Sequence, residues 1–228
     1  MISIAIDGPS GAGKSTISRT VAGKLGYLYV DTGALYRTIG LYVLRNGSDP
    51  KNEQQVQTLL PQLQVNMGYQ DGIQQMFLQG ENVTDQIRTP EVSMAASGVS
   101  AHSCVRAYLL DLQRRLAREN NVIMDGRDIG TVVLPNADVK IFLTASSAVR
   151  ARRRFNELIA KGEDITYEKV LDDVEKRDYA DSHRAISPLK QAEDAIVADT
   201  SELNFEESVA LIQKIIAQHF EKKADQNP

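Results

Sequence analysis

Gly8-Pro9-Ser10-Gly11-Ala12-Gly13-Lys14-Ser15-Thr16 is a glycine-rich run that closes on a lysine and two hydroxyls. Residues of these types at this spacing are suited to holding a chain of phosphates. Glycines let successive backbone N–H groups turn inward around phosphate oxygens, and a helix starting behind them adds positive potential. In that arrangement Lys14 reaches the outer phosphates and the Ser15 hydroxyl faces a Mg²⁺ ion that bridges them. The run fits G-x-x-x-x-G-K-[ST] and lies between a short apolar segment, Met1–Ile6, and a helix-like one, Lys14–Leu25, the context that separates a phosphate loop from an ordinary glycine turn. Binding of ATP or GTP is the reading these residues carry.

Other charged residues gather at what should be strand ends. Asp31-Thr32-Gly33-Ala34-Leu35-Tyr36-Arg37 follows the apolar Leu28–Val30, and Asp125-Gly126-Arg127-Asp128 follows Asn121–Met124. Open α/β sheets place ligands at carboxyl strand ends. Arg37 and Arg127 can each grip an acceptor phosphate or carboxylate bidentately. Asp125 stands where an acid would hold magnesium-bound water, and Asp128 could accept from an exocyclic amine. Arg150, Arg152, Arg153 and Arg154 crowd one segment. A helix cannot aim neighbouring residues in one direction, so Arg150 and Arg152 are expected on a solvated face. Arg177, Asp181 and Arg184 repeat at i, i+4 and i+7 and share a helix face. No N-K-x-D string is present to read a guanine, which weighs against a GTPase. His102, His183 and His219 are scattered, and Cys104 stands alone, so neither a zinc cluster nor an intramolecular disulfide is expected.

The elements that must position these groups alternate. Strand-like Met1–Ile6, Leu28–Val30, Asn121–Met124, Val139–Leu143 and Ala195–Ala198 are interleaved with helical patterns at Lys14–Leu25, Gly33–Asn46, Val105–Arg118 and Glu206–Phe220. Five parallel strands flanked by helices are predicted. Between about residues 64 and 87 the pattern changes to short apolar runs parted by Asp71-Gly72 and Gln79-Gly80, which predicts an antiparallel insert. Thr89-Pro90-Glu91 opens a further helix. Ala148–Ala160 and Tyr167–Ser182 are polar helices parted by Lys161-Gly162-Glu163, with few large apolar residues, and are expected to act as a mobile lid. The tail Glu221–Pro228 is polar and expected to fray.

The 228 residues are 42% hydrophobic and 25% charged, usual for a folded globular chain, and carry a formal charge of −4. That balance excludes a generally basic, nucleic-acid-wrapping surface. No apolar stretch is long enough to span a membrane, and no targeting segment is visible. A reducing, cytoplasmic setting and a monomer are expected.

Taken together the loop G-P-S-G-A-G-K-S-T, D-T-G-A-L-Y-R at 31–37, D-G-R-D-I-G-T at 125–131 and R-D-x-x-D-x-x-R at 177–184 resemble the bacterial cytidylate kinases, nucleoside monophosphate kinases that make CDP from CMP. The resemblance runs from Ile4 to about Ala217. It implies one P-loop kinase domain over 1–228, with residues 32–106 forming the acceptor region and 150–188 the lid. It implies that Gly8 to Thr16 hold MgATP, with Ser15 on the metal. Ser97, Arg106 and Asp128 would read the cytosine, Arg37, Arg127 and Arg184 would hold the CMP phosphate, and Arg177 and Asp181 would face the ribose. Lys14, Arg127, Arg153 and Arg184 would stabilise charge on the transferred group, the register among Arg152, Arg153 and Arg154 remaining open. Thr32 stands near the acceptor where many relatives have Ser. The partners implied are small nucleotides. Other small P-loop kinases, acting on AMP, UMP or shikimate, share the ATP half, and a nucleotide switch is a reading from a different class.

Overall fold

Residues 1–225 are described by the structure, a computed structural model; Gln226, Asn227 and Pro228, the end of the segment expected to fray, lie outside the described residues. Glu221 and Lys222 instead continue the last helix.

Ile4, Ala5 and Ile6 have essentially no solvent exposure, as a strand covered on both faces requires. They form β1 (Ser3–Asp7), paired in parallel with β6 (Val122–Gly126) on one side and β7 (Val139–Thr144) on the other. With β2 (Leu28–Asp31) and β8 (Ile196–Asp199) the sheet has five strands in the order β2-β6-β1-β7-β8. The predicted five-stranded α/β sheet is therefore observed. The antiparallel insert is also present: β3 (Val65–Gln70), β4 (Ile73–Leu78) and the short β5 (Glu81–Asn82) form a separate meander. Asp71-Gly72 and Gln79-Gly80 all take positive φ, the left-handed geometry that tight hairpins demand.

The chain divides into two compact units. One comprises Tyr29–Asn120, together with Met1. It holds α2 (Thr32–Arg45), the short α3 (Glu53–Leu59), the insert, α4 (Pro90–Val99) and α5 (Ser103–Glu119). Its core gathers Leu35, Ile39, Val56, Met76, Leu78, Ile87 and Leu109. Gly40 lets α2 approach α4: a Cβ there would lie 2.9 Å from the Ala96 nitrogen. Helix α3 has no counterpart in the sequence reading, because its seven residues bury only Val56 and offer no apolar stripe.

The other unit comprises Ile2–Leu28 and the chain from Asn121 onward. It holds α1 (Lys14–Leu25), α6 (Ser147–Ala160), α7 (Tyr167–His183) and α8 (Phe205–Asp225). Helix α1 starts at Gly13 and ends at Gly26, both left-handed. The expectation that α6 and α7 carry little apolar surface fails. Ala151, Leu158, Val170 and Val174 are buried together, flanked by Phe155, Ile165, Tyr167 and Leu171, so the two helices share a core of their own. The arginine density of α6 masks the aliphatic residues that the two helices bury against each other.

Candidate active site

In the phosphate-loop unit, β1 hands the chain to a loop that passes close over β7. A Cβ on Gly8 would fall 1.9 Å from the Leu143 carbonyl oxygen, so no residue but glycine fits that crossing. Gly11 and Gly13 also hold positive φ. Lys14 opens α1 with its side chain buried, and its Nζ donates to the Pro9 carbonyl at 2.7 Å. Burial, seconded by the charge of Arg127, pushes the ammonium down to about 7, against the pull of Asp125, Asp181 and Asp7. Ser15 Oγ donates to Asp125 Oδ2 at 2.8 Å. A hydroxyl and a carboxylate thus stand side by side at the start of α1, hard oxygen donors of the kind Mg²⁺ accepts.

Asp7 is a residue the sequence reading passed over. Its two carboxylate oxygens accept from the backbone N–H groups of Ile129 and Gly130 at 2.8 and 2.7 Å. They fix the start of a single π-helical turn, Ile129–Val133, in which Asp128 O accepts from Val133 N at 3.2 Å. Such turns concentrate at functional sites because they re-aim the residues around them. Burial raises Asp7 to about 6 despite these two bonds, and the nearby Asp128 charge adds to the rise.

Asp128 is itself buried, with Arg184 Nη2 at 3.7 Å from its Oδ1. Arg127 Nε donates to Asp181 Oδ2 at 2.8 Å. Burial works against the Asp181 charge, but the guanidiniums of Arg127, Arg177 and Arg184 outweigh it and hold the carboxyl below its usual range. Arg127, Asp128, Arg177, Asp181 and Arg184 therefore form one charged cluster. One detail differs from expectation: α7 ends at His183, and Arg184 follows with extended backbone, its Nε on the Ser187 carbonyl. It reaches Asp128 from beyond the helix, not along the shared face.

The arginines of α6 separate in role. Arg150, expected on a solvated face, is only 4% exposed. Its Nε donates to the Ala145 carbonyl at 2.8 Å, Nη1 to the Ser10 carbonyl of the phosphate loop at 3.0 Å, and both terminal nitrogens to the Asp178 carboxylate of α7. Arg152 does lie at the surface, 4.1 Å from the centre of the Tyr167 ring. Arg153 Nη2 donates to the carbonyls of Thr200, at 2.8 Å, and Leu203, so its guanidinium is held by the turn after β8.

In the other unit Asp31 caps α2, its Oδ1 accepting from Ala34 N at 2.9 Å while Oδ2 accepts from Arg37 at 2.8 Å. Gly33 leaves room for this, since a Cβ there would meet Asp31 Oδ1 at 3.0 Å and Arg37 Nη1 at 3.1 Å. Gln74 of β4, unnoticed in the sequence, grips the Asp31 backbone from both sides. Its Oε1 accepts from Asp31 N at 2.8 Å and its Nε2 donates to Asp31 O at 3.3 Å. Tyr69 adds a second tie, its hydroxyl donating to the Tyr29 carbonyl at 2.8 Å. Thr32 is buried as the first residue of α2, and Ser97 sits half-buried on α4. Arg106 of α5 donates from Nε to the Ser100 carbonyl at 2.7 Å and lies 5.5 Å from the centre of the Tyr36 ring.

A phosphate loop closed by a lysine, an adjacent serine–aspartate pair and a cluster of half-buried arginines around two buried carboxylates define a P-loop phosphotransferase. Residues 4–218 match the family model described as cytidylate kinase. The chain is 52% identical to a cytidylate kinase of Caldicellulosiruptor bescii over 215 residues, 94% of each chain. It is 50% identical to that of Carboxydothermus hydrogenoformans over 213 residues, 93% of this chain and 96% of the relative. A crystal structure of an uncharacterized protein from Eubacterium ventriosum shares the fold, with TM-score 0.54 at 11% identity over 95% of this chain and 99% of the other. The chain belongs to the cytidylate kinase family.

Proposed function

We propose that the chain is a (d)CMP kinase whose phosphate loop holds ATP and whose further charged residues hold the acceptor. The chain transfers the γ-phosphate of ATP to CMP or dCMP, giving CDP or dCDP. The match to the family over 4–218, with relatives near 50% identity across both chain lengths, carries this reading.

In it the loop Gly8–Thr16 holds the triphosphate. Lys14, whose ammonium bonds only a backbone carbonyl of its own loop, turns to the phosphates, which restore its charge by supplying counter-ions. Ser15 and Asp125 would hold Mg²⁺ directly or through water, and the ion would neutralise charge on the phosphates. Arg127 and Arg184 bind the acceptor phosphate and, with Lys14 and Arg153, meet charge spreading over the transferred group. Asp181 and Arg177 face the ribose. Asp128 accepts from the cytosine amine and Arg106 donates to its ring acceptors, a pairing that uracil would reverse; Ser97 and Thr32 complete the acceptor side with Arg37. A phosphate monoester has its second ionisation near ~6, so the attacking oxygen is already a base at neutral pH and no residue need deprotonate it. The protein's task is positioning and exclusion of water, which α6 and α7 serve as a lid.

No helix of the described residues is long and apolar enough to cross a membrane. The single cysteine, Cys104, is consistent with a reducing, cytoplasmic setting, and the self-contained set of nucleotide-binding residues with a monomer.

The test is formation of ADP from MgATP with CMP, dCMP, UMP, AMP or shikimate, each beside an acceptor-free control. CMP and dCMP should give the highest kcat/KM. A preference for another acceptor would keep the P-loop kinase and overturn the base-reading residues, whereas hydrolysis indifferent to acceptor would point to a nucleotide switch.

A further inference from the structure

Asp7 holds one short span of the chain at both ends. Its main chain, at the carboxyl end of the central strand β1, stands in register with Gly126 of β6. Its carboxylate then reaches past that pairing, Oδ1 accepting from Ile129 N at 2.8 Å and Oδ2 from Gly130 N at 2.7 Å. Between those two anchors lie only Arg127 and Asp128. The clamp has little slack, because Asp7 is 5% exposed and a Cβ on Gly130 would meet Asp7 Oδ2 at 3.4 Å and Lys140 Cδ at 3.2 Å. Downstream, Val132 N and Val133 N both donate to the Asp128 carbonyl, at 2.9 and 3.2 Å, so the π-helical turn fixes the Asp128 backbone from its far side as well. Arg184 Nη2 closes on the Asp128 carboxylate at 3.7 Å.

We infer that Asp7 is a positioning residue for selection of the acceptor base: it holds the Asp128 carboxylate where an exocyclic amine is accepted and a carbonyl oxygen in the same place is refused. The inference rests on the reading of Asp128 as the group that meets the cytosine amine. A carboxylate accepts but cannot donate, so it attracts an amine and repels the carbonyl oxygen of uracil only while it is kept in one place. A looser Asp128 could swing clear of that oxygen, and the distinction would shrink. The residue type at position 7 argues against a purely structural tie. Two neutral N–H groups need no charged partner, and an ionised carboxylate here is costly, since burial and the neighbouring Asp128 charge lift Asp7 to about 6. What a carboxylate supplies, and an amide or a single hydroxyl does not, is two acceptor oxygens that bind successive N–H groups at once.

The experiment compares Asp7→Asn, Gly130→Ala, Asp128→Asn and the Asp7→Asn, Asp128→Asn double variant with the parent protein at neutral pH. It measures kcat/KM for CMP and for UMP, the KM for ATP and the melting temperature. In Asp7→Asn an amide N–H replaces one oxygen and faces a backbone N–H, so one end of the clamp opens. The ratio of CMP to UMP kcat/KM should fall about tenfold, the worth of one well-placed hydrogen bond, with the ATP KM within about twofold. Gly130→Ala presses on the same carboxylate without removing its charge. It should lower the ratio by a smaller factor, and it decides the matter if Asp7→Asn does not fold. The decisive readout is the double variant: once Asp128 no longer discriminates, Asp7→Asn should lower the ratio no further, because residues that act through one another are not additive. A fall by the same factor in both backgrounds would mean that Asp7 acts on the fold alone and would overturn the inference. So would an unchanged ratio in Asp7→Asn, or in Gly130→Ala where Asp7→Asn does not fold, beside a large loss in Asp128→Asn. If Asp128→Asn itself keeps the parent ratio, the reading of Asp128 as the base-contacting group fails, and this inference falls with it.

Discussion

Arg150 in one unit and Arg37 with Arg88 in the other are held in contrasting ways. In the phosphate-loop unit Arg150 spends its nitrogens on two backbone carbonyls and a carboxylate, all of them protein groups. In the other unit Arg37 keeps a buried Nε with no partner, and Arg88 stands largely in water on one long ion pair. A cation whose donors are all met by protein braces the fold, whereas one with donors to spare awaits a ligand. Lys14 shows that the distinction concerns bonding and not location. It lies in the unit of the braced arginine, but its ammonium, capable of three hydrogen bonds, makes one to Pro9 of its own loop.

The largest expected effect tests Lys14. Lys14→Met should lower kcat by a hundredfold or more, on the order of the loss when one transition-state donor is removed. It should leave the melting temperature unchanged or raised, because the substitution removes a buried charge with a poor set of partners. Its pH signature is separable as well. The folded-state value near 7 lies below the ordinary 10.5, so between those values the unfolded chain binds more protons and stability rises with pH. That rise should flatten in Lys14→Met. A variant that lost stability in step with activity would place Lys14 among the braces and dissolve the distinction.

Arg150 should behave in the opposite way. Removing one partner of a buried, hydrogen-bonded ion pair costs about 3–5 kcal/mol, and Arg150→Ala also strips a donor from the Ser10 and Ala145 carbonyls. The half-exposed Asp178 can regain water, which places the expected loss in urea unfolding near the lower end, about 3 kcal/mol. Because Ser10 belongs to the phosphate loop, the folded fraction should show a raised ATP KM with the CMP KM little changed. Arg88→Ala in the same urea series should fall within about 0.5 kcal/mol of the parent, the range of surface substitutions. A stability loss in Arg88→Ala equal to that of Arg150→Ala would break the comparison.

What the sequence disclosed and what it withheld follow the same physical line. The phosphate loop was legible because its chemistry is local: glycines, a lysine and a hydroxyl in fixed order between a strand and a helix. So was the turn at Asp71-Gly72, since positive φ at two adjacent residues leaves few alternatives to that pair. The five-strand alternation was legible from apolar runs that lose their periodicity when both faces are buried. Arg150 was not, because four arginines in five residues look alike until α6 is laid against the loop and one of them meets the Ser10 carbonyl. Gln74 and Arg88 escaped for a related reason. Each acts on Asp31 from more than forty residues away, and neither residue type nor spacing announces it. Spacing alone placed Arg184 on a helix face with Arg177 and Asp181, but the helix stops one residue before it, an ending that spacing does not reveal.

Asp7 provides the smallest and most specific test, because it braces with a carboxylate where Arg150 braces with a guanidinium. Both of its oxygens are met by backbone N–H groups, yet burial still lifts it to about 6 from an ordinary 3.8. The folded chain therefore binds more protons than the unfolded chain between those values. Its stabilising contribution is complete below about 3.8 and is lost as pH rises through 6, so stability should decline across that window. Asp7→Asn cannot titrate and retains only one acceptor, so it should be less stable at pH 4, where the protonated acid is best tolerated. The deficit relative to the parent should narrow toward pH 7 as the parent acquires its buried charge. The measurement is the midpoint of urea unfolding at half-unit steps from pH 4 to 7. Parallel curves for the two proteins would mean that Asp7 titrates as an ordinary carboxylate and that the N–H groups of Ile129 and Gly130, not burial, govern its charge.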